Sequence, residues 1–386
     1  MKILFVINDL ASGGAQRVFI NLLEKIYDKE DVYIDILLID KSGVYLKNIP
    51  DSINIKYLYS SHQNNKLLFP VKWINRKINR FLMKYFTNVI YRLKVKEKYD
   101  LEISYIESDA AIFLGNSKKK FDTTKRIGWI HTDLQKNKIG EHYERALEKM
   151  DYLVAVSKTA KVSASQVLNF DDNKILTVNN IIDGDKLIKL SEEKIDFVKN
   201  GKIILAVGRL AKEKGFERLI KVFKKLEKKY DIWQLLIIGE GPEKNKLEGL
   251  ISELNLEKKV KLLGFKENPY PYFKLADIVV LSSYAEGLPT VLSEAILLNK
   301  PIISTNCSGV NEILLGGSLG IICENNEEDL YLKMDLLIQD DQKQDKYKKL
   351  CNKYRYLYDC NYNVNNIINL FENIIMEKEN ENHYKE

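Results

Sequence analysis

The chain has 386 residues, 45% of them hydrophobic and 30% charged, with a formal net charge of +6. That length predicts two domains of ordinary size, each with apolar residues enough for a core, and so mild a balance gives no whole-chain signal for nucleic acid. Four late cysteines (Cys307, Cys323, Cys351 and Cys360) without C-x-x-C spacing and four scattered histidines argue against a disulfide scaffold and a zinc framework, and fit reduced thiols in a cytosolic protein. No apolar run approaches the ~18 residues of a spanning helix, and the first seven residues are too short an apolar run for a secretory signal.

Residues 3–7 read as a continuous apolar strand. Next come Asn8, Asp9 and the pair Gly13-Gly14, then an amphipathic helix to about Tyr27. Strand, glycine pair and helix is the layout of a loop that approaches a phosphate, although a plain βα turn needs small residues too. It lacks G-x-G-x-x-G, so a dinucleotide fingerprint is not supported. Residues 32–39 are a second strand. Between 69 and 98, apolar Val71, Ile74, Ile78, Phe81, Leu82, Tyr85, Val89 and Leu93 recur at helical spacing. Lys72, Arg76, Lys77, Arg80, Lys84, Arg92 and further lysines lie between them, opposed only by Glu97. A basic amphipathic helix with aromatics suits an anionic membrane surface, where each cation contributes ~1 kcal/mol. A core helix with a solvated basic face would read the same way. Strands follow at 101–105 and 126–130, the second running into His131. Another spans 153–156 and enters a helix capped by Ser157. Residues 174–178 lead to Asn179-Asn180-Ile181-Ile182-Asp183.

The second half restarts the pattern. A strand at 203–207 is followed by the loop Gly208-Arg209 to Lys214-Gly215 and a helix over 216–228. A strand at 235–238 leads to Gly239-Glu240-Gly241-Pro242 and a helix, and a strand at 260–263 leads to Gly264-Phe265. Residues 277–281 form a short buried strand. After it Glu286 sits in a loop, Pro289 suits the first turn of a helix, and Glu294 lies inside that helix on the face of Thr290. A strand at 301–305 and helices at 330–338, 345–356 and 364–376 follow, with a frayed polar tail after Glu377. Alternating strands and helices in both halves predict an α/β protein of two doubly wound parallel sheets. The domains are expected at 1–185 and 200–360, with 361–386 as a final helix and tail.

Open α/β sheets bind ligands at the carboxyl ends of their strands, where helix starts favour an anion. Glu286 and Glu294, eight positions apart, occupy such a place; as a bare spacing they are also two ordinary acids. Arg209 and Lys214 precede a helix whose dipole they oppose, so an anionic ligand would resolve the conflict.

Together, Glu286…Glu294, Gly208-Arg209…Lys214-Gly215, Gly13-Gly14-Ala15 and Gly128-Trp129-Ile130-His131 resemble retaining GT-B-fold glycosyltransferases of family four, in the family's order over nearly the whole chain. Ile181 is a minor departure, standing where the family's linker commonly has Pro or Gly. The resemblance implies two Rossmann-like domains facing a cleft, the first binding the acceptor, the second the nucleotide-sugar, with the last helix crossing back to the first. It implies that Gly13 and Gly14 face the donor diphosphate and acceptor, and that His131 faces the donor sugar. Arg209 and Lys214, in a loop with Gly208, would stabilise the leaving diphosphate, with no metal or other cofactor expected because no D-x-D cluster occupies a suitable loop. Glu286 and the backbone of Gly287, Leu288, Pro289 and Thr290 would hold the donor sugar, and Glu294 the ribose hydroxyls. The base would lie against Gly239 to Gly241 and Phe265-Lys266; uridine and guanosine both remain open, uracil being the commoner in the family. The implied mechanism is front-face attack with retention. The basic 70–98 segment favours a lipid-linked saccharide acceptor, in bacterial surface polysaccharide assembly on the cytoplasmic face of the membrane. An epimerase of the same fold and a catalytically silent assembly partner are the alternatives.

Overall fold

Runs such as Ile3-Leu4-Phe5-Val6-Ile7 have no polar face, so they must be covered on both sides, as happens in a parallel sheet between helix layers. The computed structural model describes residues 1–11, 13–59, 86–358 and 360–383. It divides into two units, Met1–Ile181 with Asn361–Glu386, and Ile182–Cys360.

In the first unit seven described strands, all parallel, lie in the order β3-β2-β1-β4-β5-β6-β7. They are β1 (Lys2–Ile7), β2 (Tyr33–Asp40), β3 (Asn54–Tyr59), β4 (Leu101–Ser104), β5 (Lys125–Ile130), β6 (Tyr152–Ala155) and β7 (Ile175–Thr177). Helix α1 (Gly14–Ile26) buries Val18, Phe19, Leu22, Leu23 and Ile26, one stripe at helical spacing. Phe19 packs edge-on against Phe5 of β1, ring centroids 5.3 Å apart. The long C-terminal helix, Cys360–His383, belongs to this unit from Asn361 onward, burying Val364, Ile367, Phe371 and Ile374. Its Phe371 meets the edge of Trp129 at 6.3 Å.

The basic segment inferred at 70–98 falls largely on residues 60–85, outside the described residues. Its described end forms α2 (Thr87–Lys94), which buries Thr87 and Tyr91. Helix α3 (Asp109–Asn116) packs on β4 and against α4 (Glu141–Leu147), with Phe113, Leu114 and Leu147 in one apolar cluster. Among the described residues no helix is long and apolar enough to cross a membrane.

The second unit repeats the architecture with six described parallel strands in the order β10-β9-β8-β11-β12-β13. These are β8 (Lys202–Val207), β9 (Trp233–Ile238), β10 (Val260–Leu262), β11 (Ile278–Leu281), β12 (Ile302–Thr305) and β13 (Ile321–Cys323). The helix after β8, α5 (Phe216–Glu227), buries Phe216, Leu219, Ile220, Phe223 and Leu226 against the sheet. The helix after β11, α6 (Thr290–Leu297), starts one residue later than Pro289 suggested. Pro289 is its N-cap, with an extended ψ of 96°, so the chain turns into the helix after the proline rather than at it.

In both sheets strand order reverses once, between β1 and β4 and between β8 and β11. The carboxyl ends at such a reversal splay apart and leave room for a ligand. The loops at these two places carry most of the residues singled out above.

Candidate active site

The β8–β11 reversal brings together loops that sequence holds far apart. Gly208 N donates to Ile238 O (3.0 Å), and Gly239 N to Gly264 O (3.0 Å), so the ends of β8, β9 and β10 are stitched side by side. Gly239 has φ +149°, and a Cβ there would stand 1.9 Å from Gly208 O; only glycine lets these loops approach so closely. Phe265, just past Gly264, remains 37% exposed at the same edge. On the far side of the reversal, Gly215 (φ +64°) lets Ser282 O approach to a distance at which any Cβ would clash.

Lys214 and Glu286 meet across this seam. Lys214 Nζ lies 2.6 and 2.8 Å from the two carboxylate oxygens of Glu286, and Ser283 Oγ donates to the nearer of them at 2.6 Å. Two further bonds fix the loops: Tyr284 N donates to Glu213 O (2.7 Å), and Ser282 Oγ to Lys214 O (2.9 Å). Arg209 Nη2 pairs with Glu213 at 2.6 Å while its side chain stays largely exposed. Burial alone would raise the Glu213 carboxyl, but Arg209 holds it below the usual range. Glu213 and Glu286 thus already oppose Arg209 and Lys214 within the protein, beside the helix dipole that an anionic ligand was expected to satisfy.

Glu294 lies inside α6, 4% exposed, and Tyr270 Oη donates to it at 3.3 Å from the short helix Tyr270–Leu275. Thr290 opens α6, one turn before Glu294. Gly287 and Leu288 rest on Gly309 (φ +77°), where a Cβ would come within 2.6 Å of Gly287 O. Gly208, Arg209, Lys214, Gly239, Phe265, Glu286, Gly287, Leu288, Pro289, Thr290 and Glu294 thus all belong to the second unit, on loops or helix starts after its strands. Ser283, Glu213 and Gly309 were not singled out from sequence. Ser283 and Glu213 sit within three residues of acids or cations that were, which is the signal that could have found them.

Gly13, Gly14 and His131 belong to the first unit. Gly13 is the extended N-cap of α1 and Gly14 its first residue. His131 follows β5, and its Nε2 lies 2.8 Å from Tyr105 O. A carbonyl only accepts, so Nε2 carries the proton and Nδ1 is left as an acceptor. Burial lowers the imidazole to about 4, so it is neutral at neutral pH. The ring can accept a hydrogen bond from a hydroxyl there, and is not an acid. Both carboxylate oxygens of Glu107, past the end of β4, accept from His131 N at 3.0 and 3.1 Å. Burial pushes that carboxyl up to about 7 against the pull of these backbone bonds. Sequence reasoning passed over Glu107 because it has no motif, only a position after a strand. Among the described residues no group of three His, Cys, Asp or Glu could hold a metal ion.

Two doubly wound parallel sheets, one in each unit, are the architecture of the GT-B fold. The solved structure of Anabaena HepE with UDP and glucose agrees in fold, with a TM-score of 0.76 over 97% of this chain and 100% of that one, at 17% identity. Residues 188–354 match the family model for glycosyl transferases group 1. An uncharacterised glycosyltransferase of Methanocaldococcus jannaschii is 32% identical over 273 residues, 67% of this chain and 66% of its own length. A Campylobacter jejuni N-acetylgalactosamine-N,N'-diacetylbacillosaminyl-diphospho-undecaprenol 4-alpha-N-acetylgalactosaminyltransferase is 29% identical over 355 residues, 90% of this chain and 93% of that one. The chain belongs to the group 1 glycosyltransferases and has the GT-B fold.

Proposed function

We propose that the protein transfers a sugar, with retention of configuration, from a nucleoside-diphosphate sugar to a lipid-linked saccharide during assembly of a bacterial surface polysaccharide. The observation that carries the donor half is the seam at the β8–β11 reversal, where Lys214, Glu286 and Arg209 stand at strand ends. As the glycosidic C–O bond breaks, negative charge grows on the departing diphosphate. Arg209 offers a two-pronged fork and Lys214 a point charge for it, so the step needs no metal ion. Glu286 and the backbone of Gly287 to Thr290 hold the sugar, and Glu294 the ribose hydroxyls. The acceptor oxygen attacks from the face the diphosphate leaves, and its proton passes to the departing phosphate oxygen.

Uridine is the favoured base, a reading supported by the UDP bound to Anabaena HepE. The lipid-linked acceptor is supported by the undecaprenol-linked substrate in the name of the Campylobacter relative. Such an acceptor places the enzyme peripherally on the cytoplasmic face of the membrane. The exposed side of α2 supports this: Phe86, Val89 and Leu93 stand out to solvent at helical spacing beside Arg92, Lys94 and Lys96. The test is a thermal-shift screen over nucleotide-sugars, followed by transfer of the stabilising donor to a membrane lipid extract and determination of the product anomer. A stabilising donor with an inverted product would overturn retention; no stabilising donor would overturn the donor site.

A further inference from the structure

Arg218 lies in the first turn of α5 and is 3% exposed. Its Nε and Nη2 donate to Ser282 O, Nη2 also to Ser283 O (2.8 Å), and Nη1 to Asn325 Oδ1 (2.7 Å). The Tyr284 ring lies against the guanidinium, its centroid 4.0 Å from Cζ. Asn325 Nδ2 in turn donates to Tyr284 O (2.8 Å), and Thr305 Oγ1 to Ser283 O (2.6 Å). Every carbonyl of residues 282–284 is thus tied down, two of them by one arginine, directly before the loop that carries Glu286.

All these partners of Arg218 are neutral. Glu327 acts on it only at a distance and is itself paired with Lys225 at 3.0 Å. A buried cation held by carbonyls and an amide alone is costly, and a neutral donor or a well-packed apolar side chain would hold a turn with less cost. Burial draws the group down from its usual range, yet an arginine so placed stays charged at neutral pH. A fixed buried charge makes physical sense where an anion must be attracted nearby, because low-dielectric surroundings let its field reach further.

We propose that Arg218 is a positioning residue of the nucleoside-diphosphate site: it sets the Ser282–Tyr284 turn and with it the loop that carries Glu286, and its unneutralised charge draws the diphosphate without touching it. The inference rests on reading the second unit as the donor site.

The experiment uses UDP as probe, with calorimetric Kd and steady-state transfer for the wild type and for Arg218→Lys, Arg218→Gln and Arg218→Met, each checked for a cooperative melt. Lysine keeps the charge without the fork, glutamine keeps donors without the charge, and methionine keeps neither. The expected result is a UDP Kd raised about tenfold or more in the glutamine and methionine variants and largely recovered in lysine. In all three, kcat falls by about a hundredfold, because a shifted turn misplaces Glu286. A merely structural role would lower the melting temperature while leaving Kd the same in lysine and glutamine. Equal Kd in those two variants, or wild-type kcat in either, overturns the inference even if methionine does not fold. Failure of the wild type to bind UDP or any other nucleoside diphosphate overturns the donor-site reading and the inference with it.

Discussion

Lys214 Nζ bonds both carboxylate oxygens of Glu286, 72 residues away in sequence, and so ties the loop after β8 to the loop after β11. Both side chains are mostly buried, so the pair is not an ordinary surface contact. If Lys214 turns to a diphosphate, it must loosen its hold on Glu286. Glu286→Gln removes that competition. UDP should then bind as tightly as before or more tightly, while transfer falls by about a hundredfold because the donor sugar loses a charged partner. Lys214→Ala should weaken both, UDP binding by about tenfold. Calorimetry with UDP and steady-state transfer on the two variants check this; weaker UDP binding in Glu286→Gln would count against the competition.

Arg209 is mostly exposed and its bond to Glu213 is a surface pair. Arg209→Met should therefore change unfolding free energy by no more than about 0.5 kcal/mol. It should still weaken UDP binding and flatten its dependence on salt, since a charge that meets the diphosphate is removed. Arg209→Lys should restore only part of the affinity, because the fork is lost. Urea unfolding beside UDP titrations at two salt concentrations separates the two effects.

The apolar strands at 3–7, 203–207 and 278–281 were legible because a strand buried on both faces leaves an unbroken hydrophobic run. So was Ser157, whose hydroxyl does cap its helix by accepting from Ala160 N at 3.0 Å. β3 was missed because it is an edge strand whose Asn54 and Lys56 break the run. α3 was missed for the opposite reason: Ala110, Ala111, Phe113 and Leu114 are all buried, so it shows no polar face and no helical period. At the site, the cations, acids and glycines could be read as types at fixed places. Arg209 and Glu213, four positions apart, are a local pair that the sequence could have shown. The partner of Lys214 could not be read, because it depends on the register of β8 with β11, and that pairing of Ile204 with Ile278 is a tertiary fact.

His131 and Glu107 share a backbone bond and titrate in opposite senses. His131 is lowered from 6.5 to about 4, chiefly by burial. Between those values the unfolded chain binds a proton that the folded chain refuses, so its contribution to stability is present above pH 6.5 and lost on acidification towards 4. Glu107 is raised from 4.5 to about 7, again chiefly by burial. Its contribution is present below pH 4.5 and lost as pH rises through 7. Glu107→Gln stays neutral throughout. Relative to the wild type it should gain stability between pH 5 and pH 8, by at most about 3 kcal/mol. Urea unfolding of both proteins at the two pH values checks the sign; a constant difference would show that Glu107 does not titrate in that range.

Glu102 and Arg126 form a buried pair between β4 and β5, with Arg126 Nε 2.9 Å from Glu102 Oε2. Tyr91 of α2 also donates to Glu102, and Arg126 Nη1 caps the carbonyls of Leu114 and Ser117 at the end of α3. Glu102→Leu would strand the guanidinium and should cost about 3–5 kcal/mol. Adding Arg126→Met removes the stranded charge and should recover part of that loss, which a double-mutant cycle by urea unfolding would measure.

The same Tyr91–Glu102 bond fixes how α2 faces the sheet, and that sets its outer side. With Thr87 and Tyr91 turned inward, Val89 and Leu93 stand out together with Phe86, each about half exposed or more. Lys118 N donates to Asn88 Oδ1 at 2.6 Å, which brings the run Lys118-Lys119-Lys120 beside the helix, and Lys120 Nζ bonds Lys96 O at 2.7 Å. Exposed apolar side chains with cations close to them in the chain suit the boundary between acyl chains and anionic headgroups. Binding there has two contributions, one from insertion and one from charge, the latter about 1 kcal/mol for each cation near the surface. Phe86→Ser with Val89→Ser and Leu93→Ser should lower sedimentation with phosphatidylglycerol vesicles at all salt concentrations. Neutralising Arg76, Lys77, Arg80 and Lys84, which lie outside the described residues, should lower it mainly at low salt, where headgroup charge is least screened. Unchanged sedimentation in both variants would discard the membrane surface and leave the acceptor to be met in solution.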